Sequence, residues 1–435
     1  MSDHDAPSAE DAPSVQPEPT APSAPGASGV PVVAGAGAGP ALGEPAAGPG
    51  GARQAPAWLE EAAHGRVAGR RWPVVLAVVF VVIIAAGWIA NQVPVNYYVI
   101  TPGDATPVSQ YIEVPPSLNH PLTGKILLTD VFVTKLNALN YLQYRFLESN
   151  NEVVSGPDLF GPTPNEGQYL DQGYLQMAQA QNFATASALT RLGYTVTSTN
   201  AGALIYGIAP HSPAARALKV AQVITAVNAT PTPTDCSLIG VLHGVTPGTV
   251  VTLTVEESSI NDIGQVVAGP TVQKQVRLAA PPKGLVDTGC GAPTQPTAYL
   301  GIDPETQQDW VFPVKVSVHT ADIGGPSAGL AMSLGIIDSL SSGRLTGNRV
   351  IAATGTIDQN GNVGDVGGVA EKTIAVEQAG ATVFFVPAVE KATAQAKATS
   401  QLHVYAVSNL DQVLRILKRL GGHVPTNPAL AQVAP

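Results

Sequence analysis

Charged residues are scarce in this 435-residue chain, and most of them are acidic. Lys and Arg number 22 against 32 Asp and Glu, which gives a formal net charge of −10. Proteins that bind nucleic acid normally display a basic patch or stripe. No basic run with interleaved aromatic residues occurs here, and aromatic residues make up only 5% of the chain. The composition therefore argues against a nucleic-acid partner.

The sequence also lacks the motifs of nucleotide and metal chemistry. It has no Gly-x4-Gly-Lys-Ser/Thr phosphate-binding loop, because Gly124-Lys125 is followed by Ile126 and has no preceding glycine loop. It has no His-Glu-x-x-His and no paired Cys-x-x-Cys. We therefore expect no nucleotide, no metal and no other cofactor. Ser-x-x-Lys is absent as well, which excludes the penicillin-binding type of serine–lysine site.

Large apolar residues are nearly missing from residues 1–64, which are rich in Ala, Pro, Gly and Ser. Such a segment buries too little apolar surface to offset its conformational entropy. We predict that residues 1–64 form a disordered tail. The remaining length has room for two or three domains.

An apolar run over residues 72–90 predicts one transmembrane helix. It contains no charge and approaches the ~20 residues that span a bilayer. Arg66, Arg70 and Arg71 precede it, and the next basic residue is Lys125. The positive-inside rule then places the N-terminus in the cytoplasm and the rest outside. A cleaved signal peptide is an alternative, which the long preceding segment and the missing Ala-x-Ala site disfavour. A buried core helix is another.

Cys236 and Cys290 are the only cysteines. Outside the cytoplasm such residues can oxidise. Their pairing would close a loop of roughly 55 residues, worth about 4 kcal/mol if the disulfide acts on chain entropy. The sequence is consistent both with a disulfide between Cys236 and Cys290 and with two free thiols.

A glycine-rich loop, Gly324-Gly325-Pro326-Ser327-Ala328-Gly329, contains a candidate nucleophile. Pro326 suits the first turn of a helix, and a helical apolar pattern follows to about Leu340. Ser327 is therefore predicted at a helix N-terminus, where backbone donors and the helix dipole can hold an oxyanion. A serine that only caps the helix is the alternative.

Lys372 is the candidate base for this serine. A lysine accepts a proton only when it is neutral, and burial lowers its pKa from the ordinary ~10.4. The pattern predicts a helix over 368–379, in which Val369, Val376 and Ala379 share the inner face with Lys372. Taken alone, the pattern also fits a surface lysine on an amphipathic helix.

Several motifs stand in an order that resembles the proteolytic domain of the Lon family. They are residues 314–319, GGPSAGLAMSLG, ATGTI at 353–357, NGNVGDVGGVAEK and AGATVFFVP. Within the family the chain looks most like the membrane-anchored, PDZ-containing Lon-like proteases of bacteria, over about residues 300–420. This resemblance implies an ATP-independent serine endopeptidase that is anchored in the bacterial cell membrane and acts on extracytoplasmic protein or peptide substrates. It also implies a homo-oligomer, since family members form hexamers.

The resemblance assigns roles to individual residues. Ser327 becomes the nucleophile, Lys372 the general base, and Thr354 the hydroxyl that orients the lysine amine. Gly325 and Pro326 support the serine, and the backbone of Ser327 and its glycine neighbours would hold the oxyanion. The family often has an acidic residue directly before its Gly-Pro-Ser, where this chain has a glycine. An acidic role for the nearby loop residue Asp322 is therefore not supported by the resemblance. Histidines occur near position 319 in the family, but His319 is interpreted as a solvated or hydrogen-bonded strand residue.

Residues 196–285 have the element order of a PDZ domain. The pattern runs through a strand at 204–208, a helical turn from Ser212-Pro213, a strand at 223–228, a helix at Leu238–Leu242 and a strand at 250–255. Ala221-Gln222 departs from the usual Gly-Asp of that family. PDZ domains bind extended chain ends by adding a strand to a sheet. We expect a peptide groove beside Leu238–Leu242, and a β domain that only packs on its neighbour is the alternative.

The whole chain is thus predicted to be an α+β protein. Residues 91–195 are read as strands at 96–103 and 124–134, helices at 136–147 and 174–192, and a loop at 153–173. The resemblance places part of this region in the proteolytic domain, with the PDZ domain inserted after it. Residues 295–423 form the main proteolytic segment and residues 424–435 a tail.

Two other functions fit parts of the sequence. Gly325-Pro326-Ser327-Ala328-Gly329 satisfies the Gly-x-Ser-x-Gly elbow of α/β-hydrolases, with Asp365 and His403 as the other members of a triad. The segment before the serine is a loop, and few βαβ units precede it, which disfavours this interpretation. A catalytically silent PDZ scaffold is the other alternative.

Overall fold

The structure is a computed structural model that describes residues 71–148, 151–160, 166–261, 266–285, 290, 297–320 and 323–425. The predicted disordered tail at 1–64 and nearly all of the predicted tail at 424–435 lie outside these residues. Each statement below concerns the described part of the chain.

The helices alternate with strands along the chain. In order, they are α1 (Trp72–Gln92), α2 (Ala138–Phe146), α3 (Gly156–Phe160), α4 (Glu166–Arg191), α5 (Asp235–His243), α6 (Gly329–Leu340), α7 (Val369–Gln378), α8 (Lys391–Lys397) and α9 (Leu410–Arg419). Short 3-10 helices lie at Val108–Gln110, Ala214–Arg216, Pro326–Ala328 and Ala388–Glu390.

The strands come from every part of the chain after α1. In order, they are β1 (Pro94–Pro107), β2 (Ile112–Glu113), β3 (Lys125–Asn137), β4 (Glu152–Ser155), β5 (Thr197–Ile208), β6 (Val223–Val227), β7 (Thr230–Pro231), β8 (Val250–Glu256), β9 (Ser259–Ile260), β10 (Val266–Val267), β11 (Thr271–Arg277), β12 (Ile302–Val311), β13 (Ser317–Val318), β14 (Val350–Ala353), β15 (Thr356–Ile357), β16 (Val363–Gly364), β17 (Val383–Pro387) and β18 (His403–Val407).

The first sheet combines early and late parts of the chain in the order β18-β17-β14-β3-β1-β4. Strands β3, β14, β17 and β18 are parallel, whereas β1 is antiparallel to both β3 and β4. Strand β14 pairs only with the first residues of β3, from Lys125 to Leu127. The remainder of β3 therefore extends beyond the carboxyl end of β14.

Helices cover both faces of the first sheet. Side chains of successive strand residues point to opposite faces, and Phe384 and Phe385 of β17 accordingly belong to different hydrophobic clusters. Phe385 packs with residues of α4, α6 and α9, whereas Phe384 packs with Val369 and Val376 of α7. This arrangement leaves the carboxyl end of β14 between α6 and α7.

The second sheet is antiparallel, with the order β11-β8-β6-β5-β12. Its core includes Leu238 and Leu242 of α5 packed on apolar residues of the strands. Its other face contacts α4, because Leu175 of that helix is buried with Leu204 and Val223. Helix α4 therefore packs against both sheets.

Two features of this region differ from the sequence-based expectations. The predicted loop at 153–173 is wrong, because it contains most of β4, all of α3 and the first turns of α4. In addition, β12 pairs with β5 in the second sheet, although its residues lie inside the segment 295–423 assigned to the proteolytic domain. Both differences arise from pairing and packing with distant segments, which local patterns do not report.

Helix α1 extends the predicted apolar segment 72–90 to Gln92. By length and composition it can cross a membrane. None of its residues is buried against the rest of the described chain, which contradicts the interpretation as a buried core helix.

Candidate active site

The two predicted catalytic residues lie at the starts of two helices that meet at the carboxyl end of β14. Helix α6 precedes this strand and α7 follows it, so the N-termini of both helices lie near this end of the strand. Ser327 lies in the 3-10 helix that leads into α6, and Lys372 lies in the first turn of α7. The topology therefore brings together two residues that are distant in sequence.

Ser327 is held by a turn that follows β14. Its carbonyl oxygen accepts a hydrogen bond from the Gly355 amide at 2.9 Å, and the Gly355 carbonyl accepts one from the Leu330 amide at 3.1 Å. Pro326 begins the 3-10 helix, as predicted. The chain before it turns through Gly325, whose φ of 88° lies in the region that favours glycine.

The two supporting residues before the serine do not supply donors for an oxyanion. The Gly325 amide donates to the carbonyl oxygen of Gly173 in α4 at 2.7 Å, and Pro326 has no N–H. The expectation that the glycine neighbours stabilise the oxyanion is therefore wrong for the amide of Gly325. The Ser327 amide lies at the start of the helix, where backbone N–H groups have no partner within the helix.

Lys372 is buried, with only 3% of its surface exposed. Burial lowers the pKa of its amine from 10.5 to about 8, because the charged form loses its hydration. Its Nζ donates to Thr354 Oγ1 at 3.5 Å, and Thr354 Oγ1 donates to the carbonyl oxygen of Ser327 at 3.3 Å. Thr354 is fully buried and thus connects the lysine to the serine turn.

Ser327 and Lys372 line the same cavity, which has a volume of about 380 Å³. Its wall includes Asp130 and Phe132 from the part of β3 that extends beyond β14, together with Thr320. A concave site with a nucleophile, a buried amine of lowered pKa and an orienting hydroxyl has the parts needed for acyl transfer to serine.

Two acidic residues near Lys372 were not found from the sequence. Asp130 and Glu390 both act on the lysine through their charge, and both raise its pKa against the larger effect of burial. Asp130 Oδ1 accepts a hydrogen bond from the Asp104 amide at 2.7 Å, and Glu390 Oε1 accepts one from the Val366 amide at 2.7 Å. A signal for Asp130 was present, since it is the one charged residue in the largely apolar run from Ile126 to Val133.

The inner face predicted for α7 is largely confirmed. Val369 and Val376 are buried together with Lys372. Ala379 is exposed, so its assignment to this face is wrong. It caps the end of the helix instead, and Ala375 is buried in its place.

The residues of the alternative hydrolase triad do not assemble around Ser327. His403 is exposed in β18 and lines a separate cavity with Tyr405. No histidine is among the described residues that line the Ser327 cavity. His319 is exposed and lies after β13, and Asp322 falls outside the described residues.

The structure joins Cys236 and Cys290 in a disulfide, with their Cα atoms 5.3 Å apart. Cys236 lies in the first turn of α5, which Thr234 and Ser237 cap reciprocally. The bond therefore ties the start of α5 to the chain segment that leads towards β12.

Comparison with known proteins identifies the domain that contains the site. Residues 294–419 match the family described as Lon protease (S16) C-terminal proteolytic domain. The Lon protease of Chloroflexus aggregans is 31% identical over 122 residues, 27% of this chain and 15% of its own length. That of Methylocella silvestris is 41% identical over 91 residues, 21% of this chain and 11% of its own length. That of Clostridioides difficile is 31% identical over 151 residues, 34% of this chain and 18% of its own length.

The matched segment of this chain is thus similar to the proteolytic domain of Lon proteases, and the chain spans less than a fifth of the length of these relatives. Solved PDZ domains are also among the similar structures. That of the SdrC-like protein of Listeria monocytogenes is 18% identical and covers 24% of this chain and 90% of its own, with a TM-score of 0.19. That of the SdrC-like protein of Listeria innocua is 17% identical and covers 24% of this chain and 92% of its own, with a TM-score of 0.18.

Proposed function

We propose that this chain is a serine endopeptidase that uses a Ser327–Lys372 dyad to hydrolyse peptide bonds. The observation that supports this most is the buried Lys372 amine, whose pKa is lowered to about 8, in the same cavity as Ser327. A buried lysine with no catalytic use would only destabilise the fold, since its charge is costly to bury.

In the proposed reaction, neutral Lys372 accepts the proton of the Ser327 hydroxyl as its oxygen attacks the peptide carbonyl carbon. Thr354 accepts a hydrogen bond from Nζ and so directs the nitrogen lone pair towards the serine. The Ser327 amide stabilises the oxyanion. Collapse of this intermediate breaks the C–N bond, and Lys372 returns the proton to the leaving amine. Water then hydrolyses the acyl-enzyme by the same route.

We further propose that the enzyme is anchored in the bacterial cell membrane by α1, with the catalytic cavity outside the cytoplasm. The apolar surface of α1, none of which is buried, supports the anchoring, and the arginines before it support the orientation. The proposed reaction would not use ATP, because this sequence contains no phosphate-binding loop. Its substrates would therefore arrive unfolded or extended. The resemblance to Lon-like proteases supports a homo-oligomer, a hexamer in that family.

The second sheet would act as a PDZ domain that captures part of the substrate beside α5. Strand β12 is at the edge of that sheet, and the first turn of α5 contacts it through a hydrogen bond from Thr306 Oγ1 to Asp235 Oδ1 at 2.5 Å. An edge strand next to a helix can accept one further strand from a peptide.

A silent PDZ scaffold is the competing function. A scaffold has no use for a desolvated lysine connected through Thr354 to the serine turn, and these contacts support the enzyme instead. The scaffold predicts equal labelling of wild type and Ser327→Ala by a serine-directed probe, and no cleavage of unfolded protein by either.

The proposal is tested by replacing three residues and measuring the cleavage of an unfolded protein. We expect Ser327→Ala to abolish cleavage and probe labelling, and Lys372→Met to lower kcat by on the order of 10²–10⁴-fold. His403→Ala is the matched control and retains activity, because His403 lies in another cavity. Activity in Lys372→Met, or its loss in His403→Ala, would contradict the dyad.

A further inference from the structure

A second cavity lies between the second sheet and α4, the helix that packs against both sheets, and its volume of about 520 Å³ exceeds that of the catalytic cavity. We call it the inter-sheet cleft. Residues of α4 form one wall and residues 306–310 of β12 form the other, while Leu204 and Val223 of the second sheet line its floor. Residues 317–320, which precede the serine loop, close one end.

The inter-sheet cleft adjoins the catalytic cavity. Thr320 lines both of them, and its Oγ1 accepts a hydrogen bond from Gln181 of α4 at 3.0 Å. The same helix holds the serine loop, since Gly173 accepts the bond from the Gly325 amide. Thr320 alone therefore separates this part of the cleft from the cavity that contains Ser327.

The lining of the cleft combines side-chain amides, apolar groups and negative charge. Side-chain amides can donate to and accept from a peptide backbone whatever its sequence. The amides are Gln179, Gln181, Asn182, Gln307 and Gln308. Phe183 and Trp310 offer apolar surface near them. Among the described lining residues the charged ones are Glu256 and Asp309, and none is Lys or Arg.

We propose that the inter-sheet cleft binds an extended, neutral or basic segment of the substrate polypeptide and places the adjoining peptide bond in the Ser327 cavity. This inference rests on the proposed peptidase function. The site differs from the groove beside α5, because it is lined by α4 and by Leu204 and Val223 on the opposite face of the second sheet, although Thr306 of β12 contacts both.

The chemistry of the lining favours a polypeptide over other ligands. A volume of about 520 Å³ lies within the ~300–1,000 Å³ of ordinary ligand sites. Phosphate-containing ligands favour Arg and Lys partners, and the described residues of this lining include His319 but no Lys or Arg. Carboxylates on the wall attract basic side chains and repel acidic ones. Because Thr320 lines both cavities, a chain bound in the cleft that passes Thr320 enters the catalytic cavity.

The experiment measures the binding of unstructured, fluorescently labelled 20-residue peptides to Ser327→Ala, so that catalysis does not affect the result. Ala178 lines the cleft on α4, and Ala178→Phe fills part of its volume. We expect Ala178→Phe to weaken binding of a basic peptide about tenfold. Ala396→Phe makes the same change on the exposed surface of α8 and leaves the affinity unchanged. Equal affinities in the two variants would overturn the proposal.

A second pair of substitutions tests the charge of the cleft without adding volume. In Ser327→Ala, we expect a basic peptide to bind more tightly than its acidic counterpart, and Glu256→Gln with Asp309→Asn to remove most of that difference. An acidic peptide that binds as tightly as the basic one would overturn the proposal, even if Ala178→Phe fails to fold. Failure of the peptidase function itself appears separately, as missing serine-probe labelling of the wild type.

Discussion

At the scale of single residues, the chemistry depends on how much charge Lys372 retains. Burial lowers the pKa of its amine, and the charges of Glu390 and Asp130 oppose this change, so that the value is about 8. Glu390 lies in the 3-10 helix before α8, and Asp130 lies in β3. The lysine is therefore mostly protonated at pH 7 and mostly neutral above pH 9.

This balance predicts the pH dependence of catalysis. Only the neutral amine accepts the serine proton, and its fraction grows as pH rises through the pKa of about 8. We expect kcat/KM to rise about tenfold per pH unit well below this value and to level off above it. The measurement is kcat/KM against pH with a peptide substrate that does not titrate in this range. A rate that falls between pH 7 and 9 would exclude a lysine base.

The substitution Asp130→Asn tests how the carboxylate charge affects the pKa of Lys372, separately from the effect of burial. Removing this carboxylate removes a charge that raises the pKa of Lys372, so the inflection of the same profile shifts to lower pH. Asp158→Asn is the control, because Asp158 is exposed and bonds to Ser155 through its side chain. An unchanged inflection in Asp130→Asn would show that this carboxylate does not act on the lysine.

At the scale of elements, one turn connects the base, its orienting hydroxyl and the serine. Gly355 follows Thr354 and bonds to both Ser327 and Leu330 through its backbone. Its φ of 149° is outside the range that side chains favour, and an added Cβ would lie 2.7 Å from Cγ1 of Val363. Position 355 is thus tightly restricted to glycine.

We expect Gly355→Ala to lower kcat by on the order of 10²-fold, since a displacement of about 1 Å in an active site has such an effect. Gly380→Ala is the control. Gly380 also has a positive φ, of 79°, yet its Cβ would meet nothing within 4 Å. Both variants lose stability through backbone strain, and only Gly355→Ala loses activity per folded molecule. Thermal unfolding and active-site titration distinguish the two effects, and equal kcat values would contradict the positioning role.

Local sequence patterns predicted the helices whose formation depends mainly on the residues within them. The helix of Lys372 and the helix start at Ser327 follow from periodicity, Pro326 and the glycines, and they are confirmed. The first turns of α4 were missed because Gly167, Gly173 and polar side chains resemble a loop. Gly173 lies in the helix, where its carbonyl accepts the hydrogen bond from Gly325. That contact is with a distant segment, so the local sequence gives no sign of it.

At the scale of the whole molecule, strand pairing between distant segments determines the contacts that local sequence patterns do not predict. The first sheet places β14 beside β3, and the second sheet occupies the intervening stretch of chain. The approach of Asp130 to Lys372 depends on that pairing. Composition and motifs therefore predict the dyad and its hydroxyl, whereas the acidic residues and the inter-sheet cleft require the assembled fold.

The orientation across the membrane is supported by two independent features, the arginines before α1 and the disulfide between Cys236 and Cys290. Disulfides persist in oxidising compartments, so both features support the proposal that the residues after α1 lie outside the cytoplasm. In intact spheroplasts, we expect added protease to remove a C-terminal tag and to spare an N-terminal one. A thiol-reactive polyethylene glycol should label the denatured protein only after reduction, and Cys236→Ser with Cys290→Ser should never be labelled. A protected C-terminal tag together with labelling before reduction would reverse the orientation, because the first result places the C-terminus inside the cell and the second shows free thiols in a reducing compartment.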